Sequence, residues 1–465
     1  MKYIFGSIFS RRIAPVMWFI AVSCFLTTAS AFAQQAAAPA APAGSTSSPQ
    51  VVPAAPAATA AAPAAPAISA GDTAWVLASA ALVLLMTPGL AFFYGGMVRR
   101  KNVMATIMQS FFLVALISVQ WVVWGYSLAF APGNSFWGGL SWLFLDNMPA
   151  VNPAAPTIPH YAFMIFQAMF AIITPALICG AYAERVSFKG FVVFSLLWAT
   201  FVYDPIAHWV WGGGYFKDAL DFAGGTVVHM SSGYSALTLA LLLGTRKGYG
   251  RETMIPHNLT LVLLGASLLW FGWFGFNAGS AGAANALACN AFVTTNTATA
   301  MAALTWCLIE FFHHGKATSL GAASGAVAGL VAITPACGFV DLKASLIIGL
   351  VVSCLCYTAI QVKVKLGYDD SLDAFGVHGV GGTWGALATG LFALKAVNGT
   401  DGLFAGNPAQ FFIQLKTVGA TILYSVTLTI ILYFLVEKTI GFRVKVKEEE
   451  LGLDLSQHGE EGYNY

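Results

Sequence analysis

The feature that most limits this chain is the scarcity of charge in its long apolar runs. From residue 73 onward, eleven stretches approach or exceed the roughly 20 mostly apolar residues that a membrane-crossing helix needs. They fall near 73–98, 103–131, 160–182, 187–211, 224–244, 258–280, 288–312, 317–337, 344–364, 375–395 and 409–436. Charged residues make up 9% of the chain, against about 25% in an ordinary soluble domain. The predicted fold class is therefore an all-α integral membrane protein with eleven transmembrane helices, a multi-pass resident of the lipid bilayer. A net charge of +2 gives no reason to expect a nucleic-acid partner.

The segments before the first span read differently. Residues 1–33 have the pattern of a signal peptide: Lys2, Arg11 and Arg12, then an apolar core, then the small residues "AFA" before Gln34. Cleavage there is expected; an uncleaved helix is the other reading. Residues 34–72 are dominated by Ala and Pro and hold one charged residue, Asp72, at their very end. This composition predicts an extracytoplasmic linker with nothing to build a core from. The transmembrane domain is set at 73–437 and a C-terminal tail at 438–465. Seven cysteines show no metal-ligand spacing. Cys289 and Cys337 fall near outer helix ends, where a disulfide is geometrically open to them; small buried cysteines filling helix contacts are the plainer expectation.

Lysine and arginine set the direction of the spans. The connections "VRRKN", "AERVSFKG", "TRKGYGRE", "HHGK" and "VKVKLGYDD" hold eleven basic residues, and the opposite connections hold only Lys217, Lys343 and Lys395. The first set is expected on the cytoplasmic side of the cell (inner) membrane, with the mature N-terminus outside and the C-terminal tail inside. Ten spans plus one suggest two five-helix halves. With an odd number in each half, the second must enter upside down, giving two inverted repeats plus one extra helix.

Two histidines then stand out. His229, in "TVVHM", lies about six residues into the fifth span, and His378, in "FGVHGVGG", lies a few residues into the tenth. These are corresponding helices of opposite direction. At 1.5 Å per residue each ring is carried towards the midplane from its own side, where the two imidazoles can meet. A lone intramembrane histidine usually just bonds helix backbone. Two in matched positions, with Gly around them, point to a lined pathway. Phe166 and Phe170, four apart, share one face of the third span, as Phe276 and Ser280 do on the sixth. Trp211 ends the fourth. Aromatic faces hold a cation without a countercharge, yet Phe is so common here that packing is the default for any one of them.

The motifs "MTPGLAFFYGGMVRRKN", "HWVWGGG", "LDFAGGTVVH", "WFGFNAGSAG", "TPACGFV", "DDSLDAFGVHGVGGTWG" and "LGLDLSQHGEEGY" occur in this order. Together they resemble the ammonium transporter (Amt/Mep/Rh) family, on its bacterial Amt side, from about residue 73 to the C-terminus. The resemblance implies an outer recruitment site for ammonium at Phe170, Trp211 and Ser280, with Phe166 beside them. It implies a stacked gate of Phe170 over Phe276, and pore histidines at His229 and His378. Asp221 matches an acidic residue near the outer site whose role is mainly structural and electrostatic. A homotrimer with one pore per subunit is implied, as is a tail that docks a PII-type nitrogen-signalling protein. No cofactor is implied, and the expected activity is transport, not enzymatic turnover.

The chemistry fits these residue types. An ammonium pore must reject K⁺, a cation of similar size. A hydrogen-bond acceptor among aromatic faces favours the ion that can donate. An apolar lumen then disfavours charge, so ammonium sheds a proton and ammonia passes on. Neutral imidazoles offer that molecule one donor and one acceptor each. A histidine metal centre in an intramembrane enzyme has no "HExxH" to support it. An ammonium sensor signalling through its tail is the other alternative. Asp204, just before Pro205, is expected either to cap backbone freed by the proline or to pair with His208.

Overall fold

The structure is a computed structural model and describes residues 67–463; the expected signal segment and the Ala/Pro segment up to residue 66 lie outside them. All eleven predicted spans are occupied by helices. They are α1 Ala70–Met97, α2 Arg100–Phe130, α3 His160–Tyr182, α4 Phe188–Val210, α5 Gly225–Leu243, α6 Leu259–Gly279, α7 Ala286–His314, α8 Ser319–Ile333 and α9 Leu342–Leu366, followed by α10, a π turn Phe375–Gly379 that runs into Val380–Phe392, and α11 Pro408–Thr439. Nine are long and apolar enough to cross a membrane; α8 and α10 are shorter. Among the described residues there is no β-sheet, only two isolated bridges.

Helix starts follow local chemistry. The side chains of Ser69, Ser187, Asn258, Asn285, Thr318 and Asp341 each accept a backbone N–H in the first turn of α1, α4, α6, α7, α8 and α9. Gly315 and Gly367, at φ 77° and 75°, close α7 and α9 in the left-handed conformation that side chains resist.

The two halves repeat their packing. The contacts α1–α3, α2–α3, α2–α4 and α3–α5 recur as α6–α8, α7–α8, α7–α9 and α8–α10. The first helices of the halves, α1 and α6, meet along a glycine seam: a Cβ on Gly265 would lie 2.3 Å from the Phe93 nitrogen. With no hydrophobic drive between helices in lipid, such close backbone contact supplies the van der Waals attraction. The extra helix α11 packs on α4, α5 and α10.

Four of the five basic connections meet on one face. The buried Glu184 carboxylate accepts from the Arg99 backbone N–H at 2.6 Å and from Arg99 Nε at 2.7 Å, and pairs with Arg246 at 3.4 Å. Arg246 grips Asp369 with Nε at 2.9 Å and Nη2 at 2.8 Å. Arg185 donates to the Asp369 carbonyl at 2.6 Å. The tail docks on this face as well. Within it α12, Val446–Leu451, presents Glu449 to the Lys247 backbone N–H at 2.6 Å and to Arg443 at 3.0 Å. Asp454 accepts from Met104 N and Ala105 N at 3.1 and 2.8 Å, capping α2. The tail is thus ordered against the body here, not a solvated end.

Burial pushes the Glu184 and Asp369 carboxyls up. Arg246, joined by Arg99 at Glu184 and by Arg185 at Asp369, outweighs it and holds both below their ordinary values. The stabilisation is therefore complete at neutral pH and is lost as pH falls through about 4, the usual carboxylate range, and below. Arg246→Ala should cost about 3–5 kcal/mol by leaving two buried carboxylates short of a partner. Thermal unfolding in detergent checks this: a midpoint equal to wild type, or one insensitive to acid below that range, overturns the assignment.

Candidate functional site

The fifth helix of each half begins irregularly. α5 opens with a π turn over Gly225–Met230, and α10 with its turn over Phe375–Gly379. A π turn widens the helix by one residue and re-aims the side chains on it. Each contains its half's histidine. The two helices cross in backbone contact, since a Cβ on Gly233 would lie 2.2 Å from the Gly379 nitrogen. His229 Nδ1 and His378 Nδ1 consequently face each other at 3.3 Å, with ring planes 20° apart and both residues buried. Only one of two facing nitrogens can hold the shared proton. For two neutral rings, one Nε2 is then a bare acceptor and the other an N–H donor.

The other site residues continue this line. His229 stacks near Trp273 and Phe276, each at 24°, with centroids 5.4 and 6.1 Å away. Phe276 lies 4.2 Å from Phe170. Phe170 meets Phe166 at 5.0 Å and Trp211 edge-on at 5.9 Å. Ser280 donates its hydroxyl proton to the Phe276 carbonyl at 2.8 Å, which leaves its oxygen as an acceptor. Phe166, Phe170 and Phe276 are buried, while Trp211 and Ser280 are partly exposed. A narrow apolar cavity runs beside the histidines, lined by Met86, Leu90, Phe93, Ile173, Leu177, Val228, Leu269, Trp273, Phe276 and Val327. A second cavity begins at His378 and reaches Tyr94, Ser324 and Asp373. His378, Phe93 and Val327 line both, so the cavities are consecutive.

Asp221 holds the start of α5. Its carboxylate accepts from the backbone N–H groups of Gly224, Gly225, Thr226 and Val227 at 2.8, 2.5, 2.8 and 3.2 Å, and from the Thr226 hydroxyl. The Asp221 carbonyl also accepts from Trp211 Nε1 at 2.9 Å. Asp370, not singled out from sequence, does the same for α10, accepting from Ala374 N and Phe375 N at 3.0 and 2.8 Å. Each aspartate stands eight residues before its histidine. That shared spacing was the available signal for both Asp370 and the internal repeat. Trp273 was missed as well; nothing in its local sequence marks it as the ring beside His229.

The plainer expectation for the cysteines holds at Cys337, and that for Asp204 does not hold. Cys289 is exposed and Cys337 buried, and both are free thiols. Asp204 neither caps the proline turn nor pairs with His208. It accepts from Gln120 Nε2 at 2.8 Å, while His208 bonds the carbonyls of Ala129 and Asn134.

A bundle of inverted halves with a narrow cavity along its paired fifth helices defines a membrane transport protein. The Ammonium Transporter Family profile matches residues 74–463, and the chain belongs to that family. It is 52% identical over 400 residues to an ammonium transporter of Bacillus subtilis, covering 84% of this chain and 98% of that one. It is 48% identical over 399 residues to ammonium transporter Amt1 of Archaeoglobus fulgidus, covering 85% of this chain and 100% of that one. Among solved structures, Saccharomyces cerevisiae Mep2 aligns with a TM-score of 0.77 at 37% identity, over 82% of this chain and 88% of that one. A sensor Amt protein also aligns at 0.77, with 28% identity over 83% of this chain and 98% of that one.

Replacing Asp221 with Ala should strip the acceptor from four backbone donors at once. At about 1–3 kcal/mol for each buried donor left unpaired, before relaxation, the fold should be severely weakened. A wild-type melting midpoint for this variant would show that the cap is dispensable.

Proposed function

We propose that the chain recruits ammonium at Phe166, Phe170, Trp211 and Ser280 on the outer side, removes a proton, and conducts ammonia past His229 and His378 to the cytoplasm. The observation that carries this reading is the single line of Phe170, Phe276, His229 and His378, the last three lining one narrow apolar cavity. Ser280 acts as the acceptor that selects a hydrogen-bonding cation, and its oxygen is oriented for this by the bond to Phe276. Phe170 over Phe276 forms the gate. Asp221 holds the α5 terminus and Trp211 in place. The excess of basic residues on the tail's side supports a cytoplasmic tail in a cell (inner) membrane protein, with the N-terminal linker outside. We assign a homotrimer, one pore per subunit, and capture of a PII-type protein by the tail on the family resemblance. The alignment with a sensor Amt protein keeps one second reading in play, ammonium sensing through that tail.

Ser280→Ala should weaken recruitment by about 1 kcal/mol, one typical net hydrogen bond, and leave transport running on the aromatic contacts. The half-saturation of uptake into vesicles reads this, and an unmoved value removes Ser280 from the site.

Changing both His229 and His378 to apolar residues should leave a dry channel with no donor–acceptor pair, and ammonium current on a supported membrane should drop steeply. His229→Asp should instead let a cation rest in the lumen and relax rejection of K⁺. Undiminished current in the double variant, with K⁺ still excluded, would reduce the histidines to packing residues.

Truncation must spare Phe442, which is buried against Phe194 at 5.1 Å. A chain ending at Lys445 keeps that contact, loses the Asp454 cap, and should no longer retain a PII-type protein in pull-down. Equal retention by the shortened and full chains counts against the tail as the docking segment.

A further inference from the structure

The cavity that continues past His378 is walled by Phe93, Met97, Leu320, Val327, Leu372 and Val377, and it reaches Asp373. Among the described residues that line the two consecutive cavities, Asp373 is the one carboxylate, and neither lining contains a lysine or an arginine. Its backbone is left-handed, with φ at 61°. A residue with a side chain holds that conformation only where its surroundings enforce it, a situation common at functional sites.

Lys363, in the last turn of α9, meets this aspartate. Its Nζ forms an ion pair with the Asp373 carboxylate and donates to the Asp370 carbonyl at 2.9 Å. The Asp370 carboxylate is already engaged by the first N–H groups of α10. The Lys363 side chain is 12% exposed and that of Asp373 31%, so the carboxylate reaches open space more freely than the ammonium head that pairs with it. Lys363 does not line the cavity, and it acts on the cavity through that carboxylate.

An unbalanced carboxylate among apolar walls concentrates small cations beside it. This attraction is to charge alone and does not distinguish K⁺ from ammonium. A cation resting there would obstruct the narrow way out past His378. The head of Lys363 carries the same charge and N–H donors as ammonium, and its tether keeps it in place. We propose that Lys363 is a positioning residue that neutralises Asp373 and so keeps the inner exit free of resting cations, a determinant of specificity separate from Ser280 and the outer aromatic rings. This rests on the transport reading above, which makes the second cavity the exit for ammonia.

Ammonium current from the full chain in vesicles on a supported membrane tests the proposal. Choline or K⁺ is supplied on both sides, so that the orientation of the protein does not matter. Lys363→Met keeps the apolar stem and removes the charge. Its current should fall several-fold when K⁺ replaces choline, while wild type and Lys363→Arg should stay nearly indifferent to the exchange. Adding Asp373→Asn to Lys363→Met should abolish the K⁺ sensitivity, because no carboxylate is left to hold the ion. A pair that served structure alone would lower the current equally in both salts. The proposal is overturned by a Lys363→Met current as indifferent to K⁺ as wild type, or by a K⁺ block that persists in the double variant. Lys363→Gln, which keeps an N–H donor, is a second neutral variant. Silence of both neutral variants in choline, where wild type conducts, makes Lys363 a folding requirement and also overturns the proposal. A wild type that carries no ammonium current in choline instead sinks the transport reading.

Discussion

The contact on which the site depends is the crossing of α5 and α10 at Gly233 and Gly379. Any side chain at Gly233 would collide with the opposing backbone. Only at that separation do two histidines from opposite halves face each other at 3.3 Å. The crossing in turn requires both helices to begin within the bundle, where exposed backbone N–H groups would be costly. Asp221 and Asp370 meet that need, each from the strand of loop that leads into its helix. Backbone approach, helix capping and histidine placement are thus one arrangement made twice, once in each half.

The same logic extends to the basic face. Arg246 reaches both Glu184 and Asp369, so the connections after α3, α5 and α9 share a guanidinium, and Arg99 adds the connection after α1. The tail joins through Glu449 and Asp454, carboxylates that accept from backbone N–H groups of the body. The basic connections from which the direction of the chain was read also tie its loops together. Displacing the tail would expose the first turn of α2 and the Lys247 amide.

Much of this was legible in the sequence, for identifiable reasons. Apolar runs located α1 to α11 because burial in lipid constrains composition over about 20 residues at a time. The matched places of His229 and His378 foretold their meeting, because helical rise converts residue number into depth. The aromatic line was legible only through family resemblance, since Phe166 and Phe276 look like any other phenylalanine in so aromatic a chain. Contacts between distant positions were not legible at all. Gln120 and Asp204 are 84 residues apart, and Asp204 was set beside its helical neighbour His208 when its partner lies on another helix. The π turns also escaped, because the 3.6-residue period survives on either side of them.

Those π turns mean that the site is encoded partly in chain length. A π turn accommodates one residue more than regular α-helix would. Deleting a single residue between 225 and 230, even one that touches nothing, would let α5 close into regular helix. The helix on either side would keep its relative register, because the π turn had already absorbed the extra residue, and the side chains within the turn, His229 among them, would be re-aimed. His229 would turn away from His378 although every side chain at the site remained. In this chain the in-frame loss of one residue, with every side chain of the pair kept, is enough to dismantle it.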